Sequence, residues 1–283
     1  MLININGTNT PKEEAGISVF DHGFLYGDGV FEGLRVYNGR IFKSREHLQR
    51  LYESAQVLCL KIPLTMKEMS QRLENCLKED KTTNAYIRLI VTRGVGALGI
   101  DPRKCEKSNV IIIISDISLY PKEYYKKGIA IITASVRRNR PDTINPRIKS
   151  LNYLNNILAK IEAQNAGCME ALLLNDRGFV AECTADNIFM VKKGRLYTPP
   201  VHEGALEGIT RQTILDLAEI TGLETHQSPI TQFDLYTADE VFMSGTACEL
   251  MAIIKIDGRT IGTGAPGPEF KALLKGFQKL SAA

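Results

Sequence analysis

The stretch Arg147-Ile-Lys-Ser-Leu-Asn-Tyr-Leu-Asn-Asn156 decides how the chain is read. Leu151, Leu154, Leu158 and Ile161 recur at helical spacing until Gly167, a residue type that ends such runs. Ser150 stands where an N-cap belongs, so the spacing predicts a helix with Lys149 at its mouth. The positive end of a helix dipole disfavours an ammonium, and burial acts in the same direction. A lysine so placed is a candidate free amine for Schiff-base chemistry. Most lysines beside helix starts are nevertheless solvated surface groups, and this stretch alone does not choose.

The surrounding motifs do. Upstream stand Asp21-His-Gly-Phe-Leu-Tyr-Gly-Asp-Gly-Val-Phe-Glu-Gly-Leu-Arg35 and His47-Leu-Gln-Arg-Leu51. Downstream stand Phe179-Val-Ala-Glu-Cys-Thr-Ala-Asp-Asn-Ile-Phe189, Glu207-Gly-Ile-Thr-Arg211 and Ser244-Gly-Thr-Ala-Cys-Glu249. In this order and at these separations the chain resembles the class IV aminotransferases, which use pyridoxal 5'-phosphate. The resemblance runs from about residue 3 to the last helix. Within the family, Phe31-Glu-Gly-Leu-Arg35 and Tyr86-Ile-Arg88 look most like the branched-chain amino acid aminotransferases. The resemblance implies fold type IV, with a smaller N-terminal α/β domain and a larger C-terminal pseudo-barrel domain.

Composition agrees with a packed enzyme. A length of 283 residues with 44% apolar content suffices for two moderate domains. A formal charge of +3 on scattered Lys and Arg argues against a nucleic-acid partner. No secretory pattern opens the sequence, and no apolar run reaches membrane-spanning length. Six dispersed cysteines without C-x-x-C pairs read as reduced thiols of a cytoplasmic protein, and no metal site is expected.

Asn38-Gly39 predicts a type I' hairpin, and Ser44 is expected to cap a helix with Leu48, Leu51, Ala55 and Leu58 as its stripe. A second helix is expected over 66–78, and strands over 85–92 and 109–115. Periodicity fades near Leu119-Tyr-Pro-Lys-Glu-Tyr-Tyr-Lys-Lys127. The expected domains are therefore 1–118 and 129–283, with a linker at 119–128. Strands are expected over 129–136, 171–174, 179–182, 187–191, 195–198, 240–243 and 250–256, and helices over 210–221 and 268–280. Helices and strands mix without regular βαβ alternation, which favours α+β.

The resemblance implies a role for each motif. Lys149 matches the lysine that holds the cofactor aldehyde and moves a proton, and Tyr153 matches the tyrosine on the cofactor's 3' oxygen. Glu182 matches the carboxylate that keeps the pyridine nitrogen protonated, making the ring an electron sink. Gly208, Ile209 and Thr210 open a helix, whose free N–H groups suit a phosphate, with Arg50 and Thr246 as further ligands. Tyr86 and Arg88 share one strand face and match a pair that accepts the side-chain carboxylate of glutamate or 2-oxoglutarate. The α-carboxylate falls to Thr246 and Ala247, and the pocket walls to Tyr26, Phe31, Gly33 and Arg35. Leu98 and Ile100 match a loop lent by a neighbouring subunit, which implies a homo-oligomer, at least a dimer.

Gly27-x-Gly-x-x-x-Gly33 lacks the dinucleotide spacing and precedes hairpin signals. Two relatives within the fold compete. A D-amino acid aminotransferase would use cations such as Arg93 or Arg103 for carboxylates, and an aminodeoxychorismate lyase would carry less of Phe-Glu-Gly-x-Arg. The favoured expectation is transamination of leucine, isoleucine or valine with 2-oxoglutarate.

Overall fold

The computed structural model describes residues 1–117 and 120–282. Residues 118 and 119, where the expected first domain ends and the linker starts, lie outside the described residues, as does 283. Two compact units form: Met1–Ile117 with Ile148–Asn152, and Ser118–Arg147 with Tyr153–Ala283. Lys149, expected in the second domain, therefore belongs with the first unit.

The first unit contains β1 (Leu2–Ile5), β2 (Thr8–Asn9), α1 (His22–Tyr26), β3 (Gly29–Tyr37), β4 (Arg40–Ile41), α2 (Ser44–Val57), α3 (Met66–Asp80), β5 (Ala85–Thr92) and β6 (Asn109–Ser115). Its strands form one antiparallel sheet in the order β2-β1-β6-β5-β3-β4. Alternation gives the sheet two faces. Val30, Leu34 and Val36 of β3, with Ile87 and Leu89 of β5, pack on Leu48 and Leu51 of α2 and Met69 and Leu73 of α3. The opposite face carries Phe31, Gly33, Tyr86 and Arg88. Asn38 and Gly39 both take positive φ, 50° and 76°, as the type I' hairpin requires. Ser44 is the first helical residue of α2 and not its cap; Lys43 caps it in the left-handed conformation without a side-chain bond. At α3 a Thr65–Glu68 capping box closes the N-terminus.

Residues 148–152 join this sheet. The Phe31 N–H donates to the Lys149 carbonyl (2.9 Å), the Leu151 N–H donates to Gly29 (3.0 Å), and Ser150 bridges Val30. Strand pairing, not a helix, thus orders the segment that periodicity assigned to a helix mouth.

The second unit holds α4 (Lys122–Lys127), β7 (Ile129–Thr133), α5 (Leu154–Asn165), β8 (Glu170–Leu174), β9 (Val180–Cys183), β10 (Asn187–Lys192), β11 (Arg195–Thr198), α6 (Ile209–Thr221), β12 (Thr225–Gln227), α7 (Gln232–Tyr236), β13 (Glu240–Gly245), β14 (Glu249–Ile256), β15 (Arg259–Thr260) and α8 (Pro268–Ala282). Helix α4 lies inside the segment read as a linker, and β7 stops short of the expected 136. The strands form one mixed sheet along β12-β11-β10-β13-β14-β7-β8-β9, with β15 on β14. Laid flat, β9 and β10 would be about 24 Å apart at normal strand spacing. The chain from Cys183 to Asn187 spans at most about 14 Å. The sheet must therefore curl on itself, and the Cys183 N–H donates to the Asp186 carbonyl across that closure (2.8 Å). This curl is the pseudo-barrel.

Helix α5 begins at Leu154, with Tyr153 as N-cap and no side-chain cap bond. Ser150 is not its cap; the Ser150 hydroxyl instead accepts from the Asn152 N–H (3.3 Å). The helix buries Asn156, Ala159 and Ala163. Its apolar stripe points outward, with Leu154 68%, Ile157 51%, and Leu158 and Ile161 each 45% exposed.

Candidate active site

In the first unit, β3, β5 and the 148–152 segment bring Phe31, Gly33, Tyr86, Arg88 and Lys149 together. The Lys149 main chain is held by Phe31 and by its own N–H donating to Ser54 Oγ (3.2 Å). Its Nζ lies 4.5 Å from the centre of the Phe31 ring. The Arg88 guanidinium lies 4.6 Å from the same ring and 5.4 Å from that of Tyr86. Register explains this cluster, since Phe31 pairs with Ile90, Gly33 with Arg88 and Arg35 with Tyr86. Side chains of directly paired residues share a face. A Cβ on Gly33 would lie 2.1 Å from the Tyr86 hydroxyl, so only glycine lets Tyr86 lie across β3. Arg35 reaches over the Tyr37 ring at 5.1 Å.

Arg50 is one helical turn before Ser54 on α2, and both are buried. Its Nε and Nη2 donate to the two oxygens of Glu32 (2.7 and 2.9 Å), and His47 Nδ1 lies 2.8 Å from Glu32 Oε2. A carboxylate only accepts, so Nδ1 carries the proton. Glu32 sits on the core face of β3. Burial pushes its carboxyl up, but the Arg50 charge and the His47 hydrogen bond outweigh that and hold it at about 2. Sequence reading missed Glu32 as a partner, although its place in an otherwise apolar strand face was a signal. Tyr26 is on the last turn of α1, and its hydroxyl accepts from the Gly99 N–H (2.9 Å). The flanking Leu98 and Ile100 are 73% and 84% exposed.

In the second unit, Glu182 on β9 is buried and fully engaged. Arg138 Nε and Nη2 donate to its Oε1 (3.0 and 2.8 Å), and the Leu206 N–H donates to Oε2 (2.8 Å). Asn187 Nδ2 reaches the same oxygen at 3.4 Å and donates to the Leu206 carbonyl at 2.9 Å. A third element enters through Asn156, which accepts from Arg138 Nη1 (3.1 Å) and donates to the Thr184 carbonyl (2.6 Å). Arg138, Asn156 and Asn187 were not singled out beforehand. Asn187 stood in a motif; Arg138 lay in an Arg-rich loop without one.

Gly208 is the N-cap of α6 and offers no side chain to its first N–H groups, those of Ile209 and Thr210. A Cβ there would meet Asn187 Oδ1 at 2.0 Å, so Asn187 ties this helix start to Glu182. Ser244 pairs with Asn187, and β13 then turns through Thr246 and Ala247 into β14. Tyr153, at the foot of α5, is half-buried. The sequence alternatives involving Arg93 and Arg103 find both engaged elsewhere. Arg93 is buried on Asp28 and two loop carbonyls, and Arg103 pairs with Asp101.

These donor sets fit an aldehyde-bearing, phosphorylated pyridine. Each unit by itself holds group types that such a molecule uses: a lysine amine and a buried arginine in the first, a carboxylate pinned by arginine and an uncapped helix start in the second. Among the described residues no cluster of His, Cys, Asp and Glu resembles a metal site, and no helix is long and apolar enough to cross a membrane.

Comparison with known families settles the class, since the family described as amino-transferase class IV matches residues 29–256. The chain belongs to the class IV aminotransferases. It is 50% identical over 280 residues to a putative branched-chain-amino-acid aminotransferase of Methanocaldococcus jannaschii, covering 99% of this chain and 96% of that one. The crystal structure of the Escherichia coli branched-chain amino acid aminotransferase superposes with a TM-score of 0.95 at 34% identity, covering 98% and 93% of the two chains. A branched-chain amino acid aminotransferase of T.th. origin, solved in complex with N-(5'-phosphopyridoxyl)-L-glutamate, has a TM-score of 0.93 at 36% identity, covering 99% and 94%. This chain is thus a class IV aminotransferase similar to branched-chain enzymes along its whole length.

Proposed function

We propose that this class IV aminotransferase uses pyridoxal 5'-phosphate to move the amino group of L-leucine, L-isoleucine or L-valine to 2-oxoglutarate. The observation that carries this reading is the Phe31–Tyr86–Arg88 face beside Lys149. It offers aliphatic and aromatic surface for a branched side chain and one guanidinium for a γ-carboxylate. The two demands do not conflict, because Arg88 rests on ring faces that an aliphatic group also accepts. The relatives' names and the complex with a phosphopyridoxyl-glutamate adduct support the same substrate pair.

When bound, pyridoxal phosphate supplies a carbonyl for the amine and an electron sink for the α-carbanion. Lys149 Nζ would be the amine that holds the aldehyde, and the same nitrogen would serve as the general base that moves the substrate α-proton. Glu182, pinned by Arg138, Leu206 and Asn187, would be the carboxyl that partners the ring nitrogen. Arg50 and the N–H groups of Ile209 and Thr210 bind the phosphate, with Thr246 adding a hydroxyl. Tyr153 serves the 3' oxygen. Thr246 and Ala247 receive the α-carboxylate, and Tyr26, Gly33 and Arg35 complete the walls. The cycle is ping-pong, because the same amine-carrying site serves donor and acceptor in turn.

The outward stripe of α5 and the exposed Leu98 and Ile100 suit burial against a second copy of this chain, the homodimer that the family resemblance implies. Six free cysteines suit the reducing cytoplasm.

The test is an absorbance spectrum of protein incubated with pyridoxal phosphate, repeated after L-leucine, L-glutamate or D-alanine. Bleaching of the yellow band by both L-amino acids is expected, and Lys149→Ala should bind cofactor without that conversion. Bleaching by D-alanine alone would overturn the substrate assignment.

A further inference from the structure

Beneath the Gly245–Cys248 turn lies a buried carboxyl that the reaction above does not use. Asp186 is 6% exposed, and its Oδ1 accepts from the Cys248 thiol at 3.1 Å. A Cβ on Gly245 would lie 1.9 Å from that oxygen, so the carboxyl is pressed against the turn's backbone. Asp186 thus touches both ends of the turn, whose far side continues through the left-handed Glu249 (φ 60°). Asn187, next in sequence, pairs with Ser244 and so fixes the strand entering the turn.

We propose that Asp186 is a proton-linked positioning residue for substrate carboxylate, its protonated form admitting the anion to the Thr246–Ala247 turn and its ionised form opposing it. This rests on the assignment of that turn to the α-carboxylate. The electrostatics follow from the surroundings. Burial, first, and then the charge of Glu170 push the Asp186 carboxyl up to about 7, while the Cys248 hydrogen bond and Lys160 pull the other way and Glu182 adds to the rise. Cys183 and Tyr120 complete the titratable groups around it, and both are themselves raised by burial. Glu170 is anchored as an acceptor for the Ala171 and Thr184 N–H groups (2.8 and 3.0 Å) and pairs with Lys160 at 3.1 Å. Asp186, by contrast, takes the weak thiol donor of Cys248, and burial followed by the Glu170 charge pushes it towards taking a proton.

The sign is fixed by linkage. A bound carboxylate disfavours a second negative charge under the same turn, so binding raises the proton affinity of Asp186. Affinity should then fall as pH rises through 7, with about half a proton at most taken up per anion bound for a tenfold coupling. Like charges about 10 Å apart across the turn, at an effective dielectric of about 20, repel by roughly tenfold in affinity.

The probe is 4-methylvalerate, a branched aliphatic carboxylate that has no amine and cannot react. Its Kd for the cofactor-loaded enzyme is measured by calorimetry from pH 6 to 8.5, in buffers of low and high ionisation enthalpy. Wild type should weaken by about tenfold across this range and take up about half a proton near pH 7.5. Asp186→Asn keeps an acceptor for Cys248 and should bind with flat affinity and without that uptake. Cys248→Ser, which preserves a donor, should retain the wild-type profile if the pair works as described. An Asp186→Asn profile as steep as wild type, or pH-independent binding by wild type, would overturn the proposal. Failure of wild type to bind the acid at any pH would instead overturn the carboxylate-site reading on which it rests. If Asp186→Asn does not fold, the wild-type proton uptake decides alone, and its absence refutes the proposal.

Discussion

Replacing Glu32 by glutamine tests how the first unit holds Arg50. Glu32 is fully buried and takes both a bidentate bond from Arg50 and one from His47. Its carboxyl lies at about 2, against 4.5 for an ordinary glutamate. That difference is worth about 3 kcal/mol of folding stability. Because the folded-state value is depressed, this contribution is complete above pH 4.5 and is lost as pH falls towards 2. Glu32→Gln removes the counter-charge while leaving the Arg50 cation buried, and breaking such a pair costs about 3–5 kcal/mol. Urea unfolding of the full chain, followed by circular dichroism, should show that loss at pH 7. The gap between variant and wild type should narrow between pH 4.5 and 2.5, since the wild-type carboxyl is then taking up its proton. A loss below about 1 kcal/mol, or a gap that stays constant into acid, would refute the reasoning. Weaker cofactor binding should accompany the destabilisation, because Arg50 loses the partner that orients it.

Arg88→Ala should reduce kcat/KM for glutamate by at least about tenfold more than for leucine, the loss of one charge-assisted hydrogen bond; equal losses would remove its assigned role. Gly33→Ala places a methyl where the Tyr86 hydroxyl lies, so it should cost about 1–3 kcal/mol in thermal or urea stability and impair both substrates together. Iodoacetamide at pH 7.5 should label exposed Cys59 and spare Cys183 and Cys248, whose thiols burial raises well above the ordinary value; mass spectrometry of the native protein reads this directly. Leu158→Asp on the outward stripe of α5 should shift the particle seen by light scattering from dimer towards the 31.4 kDa monomer, and an unchanged wild-type monomer would remove the dimer reading.

Much of the architecture was legible in residue order. The alternation in β5, the Asn38-Gly39 hairpin and the apolar stripe of α2 each depend on a short-range rule, and each formed as expected, except that Leu58 falls just past the helix as its C-cap. The segment after Lys149 was misread for a definite reason. Helical periodicity in 151–161 is real, but its leucines face outward and alanines face the core. Periodicity reports that a helix has an apolar side, not what that side meets. Likewise Ser150 has the chemistry of a cap, yet its backbone was claimed by β3.

The sequence by itself determined the family, because separated motifs in one order and at set separations resemble the class IV aminotransferases, whose family model matches residues 29–256. Only the tertiary structure decided which groups support them. Glu32 under Arg50, Arg138 on Glu182 and Asp186 under the Cys248 turn are contacts between residues from 18 to 62 positions apart in the chain. Their energies arise from burial and from charge pairing inside low-dielectric surroundings. Those conditions exist only once the sheet has curled and the distant segments have met, so no local pattern records them.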